Sequence, residues 1–170
     1  FKRIREITGE AFIPLAYGGG ISSIEQVKEL FYTGVEKVIF NYQAVQNPTL
    51  INDTAKLVGS QSLVVSLDVK KNWRGNYLVY TLNGTKKTRL DPVVFAKRMS
   101  DSGAGEIFLN SIDRDGTYSG YDLDLLKRVS EGVSIPVIAC GGASGVGDFS
   151  LAVKAGASAV AAGSLFVFQR

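Results

Sequence analysis

Histidine is absent from the 170 residues, and cysteine occurs once, as Cys140. Without imidazole, the common histidine metal sites and a Ser-His-Asp hydrolase are ruled out as models for this chain. A single cysteine excludes an internal disulfide framework. No apolar run is long enough to span a bilayer, and the first residues lack the basic stretch and apolar run of a secretion signal. We therefore expect a cytoplasmic protein with no metal site, no cofactor and no membrane partner.

The composition is that of an ordinary globular protein, with 45% hydrophobic and 21% charged residues. We expect residues 1–170 to form a single domain with one core. The 19 basic and 16 acidic residues give a net charge of +3. Because the basic residues are scattered along the chain, we expect a modest preference for anions and no nucleic-acid partner.

Short apolar runs alternate with longer amphipathic stretches, which is typical of βαβ units around a parallel sheet. The predicted strands are residues 13–17, 35–41, 63–68, 106–113, 135–140 and 158–165. The predicted helices are residues 23–32, 47–57, 91–100, 122–130 and 147–154. This order predicts an α/β fold with six βα units.

The segment 72–88 has a different pattern. A run of β-forming residues from Tyr77 to Thr81 is followed by the dipeptide Asn83-Gly84, which favours a tight turn. We predict a hairpin insertion at about residues 72–88, after the third strand.

The sequence contains an internal repeat with a constant offset of 122 residues. Ile13-Pro14 and Gly19-Gly20 recur as Ile135-Pro136 and Gly141-Gly142, and Gly34 recurs as Gly156. An offset of four βα units fits a (β/α)8 TIM barrel built from two halves. Six strands cannot close such a barrel, so we expect an incomplete one that lacks roughly two N-terminal units. Pairing of the open edges with another copy is the alternative.

Glycine and polar residues follow the predicted strands in matched positions. Gly18-Gly19-Gly20 and Gly141-Gly142 can present backbone N–H groups to an anion. The next strand of each half ends in Asn41-Tyr42 or Gly163-Ser164. Two anion sites at one barrel mouth predict a substrate with a phosphate at each end.

Carboxylates lie at the same predicted mouth. Asp68 ends the third predicted strand and shares a face with Val64 and Ser66, so it is our candidate general acid or base. A role as a loop cap is the alternative. Asp115-Gly116 fits a turn that donates to a phosphate, whereas Asp113 fits a structural role as well as a functional one.

Two charged residues are predicted at the opposite, N-terminal ends of strands. Lys37 shares a strand face with Ile39 and Asn41, and a lysine facing a barrel interior needs a partner. Glu106 lies at the same level and can supply it. A solvated rim is the alternative interpretation.

Several segments together resemble the cyclase subunit of imidazole glycerol phosphate synthase over the whole chain. The most specific is Ser-Ile-Asp-Arg-Asp-Gly-Thr at residues 111–117, followed by Gly-Tyr-Asp at 120–122. The others are Ala-Tyr-Gly-Gly-Gly-Ile at 16–21, Gly-Ser-Gln at 59–61, Val-Ser-Leu-Asp-Val-Lys at 65–70, Gly-Ala-Gly-Glu at 103–106 and Cys-Gly-Gly at 140–142.

The resemblance implies a lyase of histidine biosynthesis with a TIM-barrel fold. It takes ammonia from a glutaminase subunit and converts a phosphorylated ribulosyl aminoimidazole to imidazole glycerol phosphate and aminoimidazole carboxamide ribotide, without a cofactor. Asp68 matches the general acid/base. The residues that match the two phosphate sites are Gly20 and Asn41 for one, and Asp115, Gly116, Gly142 and Ser164 for the other. Lys37 and Glu106 match a charged gate for ammonia.

Two departures from the family pattern leave alternatives open. The family's other catalytic aspartate lies on a first strand that this sequence lacks, so we expect the chain alone to be inactive. Tyr42 replaces a small hydroxyl residue after Asn41. Residues 12–17 and 138–142 are also similar to a paralogous group that passes ammonia to a nucleotide-linked sugar in acetamidino-sugar synthesis for surface polysaccharide. A fragment that only binds anions or partners is the third interpretation.

Overall fold

Strands and helices alternate along residues 2–168, the part of the chain that the computed structural model describes. The β-strands are β1 (Ala16–Gly18), β2 (Lys37–Phe40), β3 (Leu63–Lys71), β4 (Tyr77–Thr81), β5 (Lys86–Lys87), β6 (Glu106–Ser111), β7 (Val137–Cys140) and β8 (Ala159–Val160). The α-helices are α1 (Lys2–Glu10), α2 (Ile24–Tyr32), α3 (Tyr42–Gln46), α4 (Pro48–Val58), α5 (Pro92–Asp101), α6 (Leu123–Gly132), α7 (Val146–Lys154) and α8 (Ser164–Val167).

Six of the strands form a parallel sheet in the order β1-β2-β3-β6-β7-β8. Consecutive parallel strands are neighbours, and a helix connects each pair, as in a (β/α)8 barrel. Within residues 2–168, β1 and β8 pair on one side only. The predicted α/β fold is confirmed, and the architecture is that of an incomplete TIM barrel.

The hairpin segment adds two antiparallel strands to the C-terminal half of β3. Strand β4 pairs with β3, and β5 pairs with β4. The turn between β4 and β5 spans residues 82–85, and its central residues Asn83 and Gly84 have φ values of 56° and 76°, as the Asn-Gly signal indicated. The prediction that Asp68 ends its strand is wrong, because pairing with β4 extends β3 by three residues to Lys71.

The two faces of β3 have different surroundings. Leu63, Val65, Leu67 and Val69 are fully buried against the layer of helices. Burying one such side chain stabilises the fold by roughly 1.5–3 kcal/mol. The opposite face, which we call the inner face, carries partly exposed polar side chains towards the carboxyl end of the strand. The core therefore lies between sheet and helices, and the polar chemistry lies on the inner face.

The internal repeat is visible in the structure. Helices α2 and α7 differ by 122 residues at both ends, and α3 and α8 begin 122 residues apart. Gly34 and Gly156 have φ values of 95° and 108°. Thr8 packs against Gly34, and Ser130 packs against Gly156 in the equivalent place. The duplicated unit predicted from the glycine spacing is confirmed.

Several helices begin at the polar residues that the sequence indicated. The Ser23 hydroxyl accepts a hydrogen bond from the Gln26 backbone N–H, and the Asp122 carboxylate accepts one from Leu125 N–H. Helices α1, α3 and α8 were not predicted. In the described part of the chain, no helix has the length and apolar character needed to cross a membrane.

Candidate active site at the carboxyl ends of the strands

Asp68, Asn110 and Cys140 lie side by side on three neighbouring strands. The register pairs Asp68 of β3 with Asn110 of β6, and Asn110 with Cys140 of β7. The Asn110 side-chain amide donates a hydrogen bond to Asp68 Oδ1 over 3.2 Å. This row crosses the inner face near the carboxyl ends of the strands, where barrel enzymes place their reactive groups.

The environment of Asp68 raises the pKa of its carboxyl group. Burial raises the pKa of Asp68 above its ordinary value, and the negative charge of Asp115 acts in the same direction. Hydrogen bonds from the amides of Asn110 and Asn41 oppose this change. A carboxyl group whose pKa is raised suits proton transfer in either direction better than one with an ordinary pKa.

A cavity of about 440 Å³ opens beside Asp68. Its wall contains the glycine loop after β1, the polar end of β2 and the turn of the hairpin. The lining residues include Gly18, Gly19, Gly20, Asn41, Tyr42, Ser66, Asp68, Leu82 and Asn83. The structure thus brings the predicted phosphate residues Gly20 and Asn41 to the same cavity as the predicted acid/base. The Asn41 amide also donates to the Ser66 carbonyl at 3.2 Å, which fixes its side chain across β3.

A second, much smaller cavity of about 20 Å³ lies between the loops that follow β6, β7 and β8. The predicted phosphate residues of the second half, Asp115, Gly116, Gly142 and Ser164, all line it. Gly142 has a φ of 100°, and a Cβ atom there would lie 2.4 Å from the Gly120 carbonyl oxygen. Only glycine allows the two loops to approach this closely.

Hydrogen bonds hold the loops of the second cavity together. The Gly120 N–H donates to the Gly142 carbonyl at 2.7 Å. The hydroxyl of Tyr118 donates to the Ser164 carbonyl at 3.1 Å, and that of Tyr121 donates to the Ala161 carbonyl at 3.0 Å. The long loop after β6 is therefore fixed against the loops after β7 and β8.

Asp113, which the sequence left undecided between two roles, has structural partners. Its carboxylate accepts a hydrogen bond from the Lys71 backbone N–H at 2.8 Å and lies 3.8 Å from Lys70 Nζ. These contacts fix the end of β3 against the loop after β6. The residue lines neither of the two cavities.

Lys37 and Glu106 meet at the amino-terminal ends of the strands, with Nζ and Oε1 separated by 2.5 Å. The contact passes over the inner face of β3, which lies between β2 and β6. The side chains remain 37% and 21% exposed. The predicted pairing is confirmed, whereas its role as an ammonia gate stays a prediction.

Asn110 and Cys140 were not among the predicted site residues. Burial raises the pKa of the Cys140 thiol to about 11, and the charges of Asp115 and Asp68 contribute. The thiol is therefore neutral at physiological pH and is not a ready nucleophile. Alternation from Glu106 through Phe108 to Asn110 was the available signal for Asn110, because it places all three on one face.

Known proteins resemble this chain over nearly its whole length. The model of a family described as histidine biosynthesis protein matches residues 1–170. A protein of Alkaliphilus metalliredigens, named imidazole glycerol phosphate synthase subunit HisF, is 48% identical over 167 residues, which is 98% of this chain and 66% of the relative.

Two proteins of the same name in other organisms show similar sequence identity and coverage. That of Pyrobaculum aerophilum is 49% identical over 169 residues, covering 99% of this chain and 65% of the relative. That of Chlorobaculum parvum is 45% identical over 169 residues, covering 99% and 67%. The chain thus spans about two thirds of the length of these relatives, and the matches cover 98–99% of its own length.

Proposed function

The chain belongs to the histidine biosynthesis protein family, and we propose that it is the larger part of the cyclase subunit of imidazole glycerol phosphate synthase. The proposed reaction is a lyase reaction. Ammonia and a phosphorylated ribulosyl aminoimidazole give imidazole glycerol phosphate and aminoimidazole carboxamide ribotide. The observation that carries the proposal is the position of Asp68 between the two cavities. Asp68 lines the 440 Å³ cavity, and its pKa is raised by the negative charge of Asp115, which lines the second cavity.

Asp68 is proposed as the general acid/base. The attacking ammonia must lose protons and the leaving group must gain one, so a single carboxyl group that can accept and return a proton serves both steps. The raised pKa supports this role, because a carboxylic acid with an ordinary pKa is a poor proton donor near neutral pH.

The two cavities are proposed to bind the two phosphate ends of the substrate. Gly20 and Asn41 serve one end, and the set Asp115, Gly116, Gly142 and Ser164 serves the other. Glycine loops leave backbone N–H groups free to donate to phosphate oxygens. The two cavities differ in volume, about 440 Å³ against about 20 Å³, and this difference supports a substrate with unlike ends.

A glutaminase subunit is the proposed partner and the source of ammonia. The Lys37–Glu106 ion pair lies at the strand ends opposite Asp68, and Val64, Ser66 and Asp68 run along β3 between the two levels. Ammonia that enters at the ion pair would reach the acid/base along this inner face. We also propose that residues 1–170 alone do not catalyse the reaction, because the family's second catalytic aspartate lies on a strand that is not among these residues.

Transfer of ammonia to a nucleotide-linked sugar is the second candidate function. Tyr42 favours it, because it lines the first cavity next to Asn41, where the family has a small hydroxyl residue. A bulkier wall there suits a ligand other than a simple phosphate end.

Turnover of the bisphosphate by the complete protein with ammonium as nitrogen source tests the proposal. We expect Asp68→Asn to lower kcat by about 10²–10⁴-fold, the usual contribution of a positioned acid/base. Asp53→Asn, an exposed carboxylate on α4, is the matched control and should retain activity. Absence of turnover by the complete protein, together with turnover of a nucleotide-linked sugar, would transfer the assignment to the second candidate.

A further inference from the structure

The hairpin region has an unusual charge composition. Residues 69–90, which we call the basic meander, contain six lysines and arginines and no acidic residue. The basic residues are Lys70, Lys71, Arg74, Lys86, Lys87 and Arg89. Removing them from the 19 in the chain leaves 13 against 16 acidic residues, so the rest of the chain is net negative. The expectation that basic residues are merely scattered is wrong at this place.

The basic meander is built onto the strand that carries Asp68. The register pairs Asp68 of β3 with Tyr80 of β4, and Tyr80 with Lys87 of β5. Directly opposed residues of antiparallel strands point to the same face. Lys87 therefore shares the inner face with Asp68, two strands away, at roughly 10 Å between backbones.

Lys86 provides an internal comparison. It pairs with Thr81, one residue further along β4, so its side chain projects from the opposite face of the meander. Both lysines are exposed. The two lysines have the same charge, lie in the same strand β5 and are both exposed, but their side chains project from opposite faces of the meander.

The meander also forms part of the cavity wall. Its turn residues Leu82 and Asn83 line the 440 Å³ cavity together with Asp68. The cationic strand end begins within three residues of that turn, at Lys86. The turn thus joins the wall of the cavity to the basic strand β5.

Most of the cationic charge of the meander is not neutralised by neighbouring acids. Lys70 lies 3.8 Å from Asp113, and the Lys71 ammonium lies over the Tyr77 ring at 4.7 Å. Within the described residues, Lys86, Lys87, Arg74 and Arg89 form no ion pair with a carboxylate. Of these four, Lys87 is the residue that the register places on the inner face, so its charge is available there to an incoming anion.

We propose that the basic meander captures the anionic substrate at the mouth of the first cavity, and that Lys87 is the residue that contributes most to this capture. The inference rests on the proposed function. A cleft with one sign of charge raises the association rate of an oppositely charged ligand, and the effect falls as salt shortens the Debye length below about 10 Å.

Stopped-flow binding of the bisphosphate substrate to the complete protein tests the proposal. In about 20 mM salt we expect Lys87→Gln to lower the association rate constant by about threefold or more, with little change in the dissociation rate constant. In about 0.5 M salt the difference should vanish. Lys86→Gln should have a smaller effect at low salt, and Lys97→Gln on helix α5 should have none.

Equal association rates for Lys87→Gln and Lys97→Gln at low salt, with tight binding by the unsubstituted protein, would overturn the capture role alone. If Lys87→Gln and Lys86→Gln lowered the association rate constant equally, capture by the meander would stand, but the larger contribution of Lys87 would be refuted. Failure of the unsubstituted protein to bind the bisphosphate at any salt concentration would overturn the proposed function, and the capture role with it.

Discussion

The amide nitrogen of Asn110 lies 3.2 Å from Asp68 Oδ1 and donates a hydrogen bond to it across two neighbouring strands. The amide oxygen of Asn110 is buried and has no hydrogen-bond partner among the described residues. The orientation of Asn110 is thus set by the carboxylate. A donor of this kind stabilises the charged form of Asp68 and limits the rise of its pKa caused by burial.

Replacing Asn110 by leucine should raise the pKa of Asp68 further, because the Asp68 carboxyl group stays partly buried and loses the hydrogen bond from the Asn110 amide. In the complete enzyme, the rate limb that requires ionised Asp68 should move to higher pH. The carboxyl ¹³C shift of Asp68, followed against pH, measures the change directly. Asn76→Leu removes an exposed amide from the β3–β4 loop and is the control. An unchanged titration of Asp68 in Asn110→Leu would show that the hydrogen bond contributes nothing in solution.

Cys140 should react slowly with iodoacetamide. With a pKa of about 11, its thiolate population at pH 8 is roughly 100-fold smaller than that of an unperturbed cysteine. Since Cys140 is the only cysteine, a single mass shift reports the reaction. Asp115→Asn removes a charge that raises the pKa, so it should accelerate alkylation, whereas Asp53→Asn should not. Equal rates for the two variants would contradict the proximity of Cys140 and Asp115.

The Lys37–Glu106 ion pair should contribute measurably to stability. Both side chains are partly exposed, so we expect a coupling energy of about 1 kcal/mol, near the upper end for solvated pairs. A double-mutant cycle of Lys37→Met and Glu106→Gln, followed by urea unfolding, isolates this energy. Strictly additive effects of the two substitutions would mean that the contact has no net value.

Gly142→Ala should destabilise the protein by about 3 kcal/mol. The new Cβ would lie 2.4 Å from the Gly120 carbonyl oxygen, and the backbone has a φ of 100°. Gly145→Ala is the matched control, since an added Cβ there meets no atom within 4 Å, and we expect a change within about 0.5 kcal/mol. Similar unfolding midpoints for the two variants would show that the loops after β6 and β7 separate easily.

The order of strands and helices was predictable because the alternation of apolar runs is a local property of the sequence. Helix α1 was missed because only two of its residues, Ile4 and Ile7, are apolar and none is buried, so it lacks the apolar content by which the other helices were recognised. The repeat contained the missing information: subtracting 122 from the bounds of α6 gives residues 1–10, close to α1. Thr8 and Ser130, which contact equivalent glycines, are the matching pair within it.

Contacts that depend on strand register could not be read from the sequence. The extension of β3 beyond Asp68 requires β4 as a neighbour, and the hydrogen bond from Asn110 requires β6 in one specific alignment with β3. Strand alternation alone is enough to place Asn110 on the inner face, but it does not indicate which residue Asn110 meets. The pairing of Lys37 with Glu106 was accessible because both open a strand of the same parallel sheet.

The residues of strand β3 that stabilise the fold and those that carry the proposed chemistry lie on opposite faces of the strand. The side chains that make the domain fold, from Leu63 to Val69 in alternate positions, are all turned to the helices, while Ser66 and Asp68 take no part in that packing. A lineage can therefore exchange reactive groups one at a time while it inherits the same packing. A change of chemistry on this scaffold needs few substitutions, and most of them should change the free energy of unfolding only slightly.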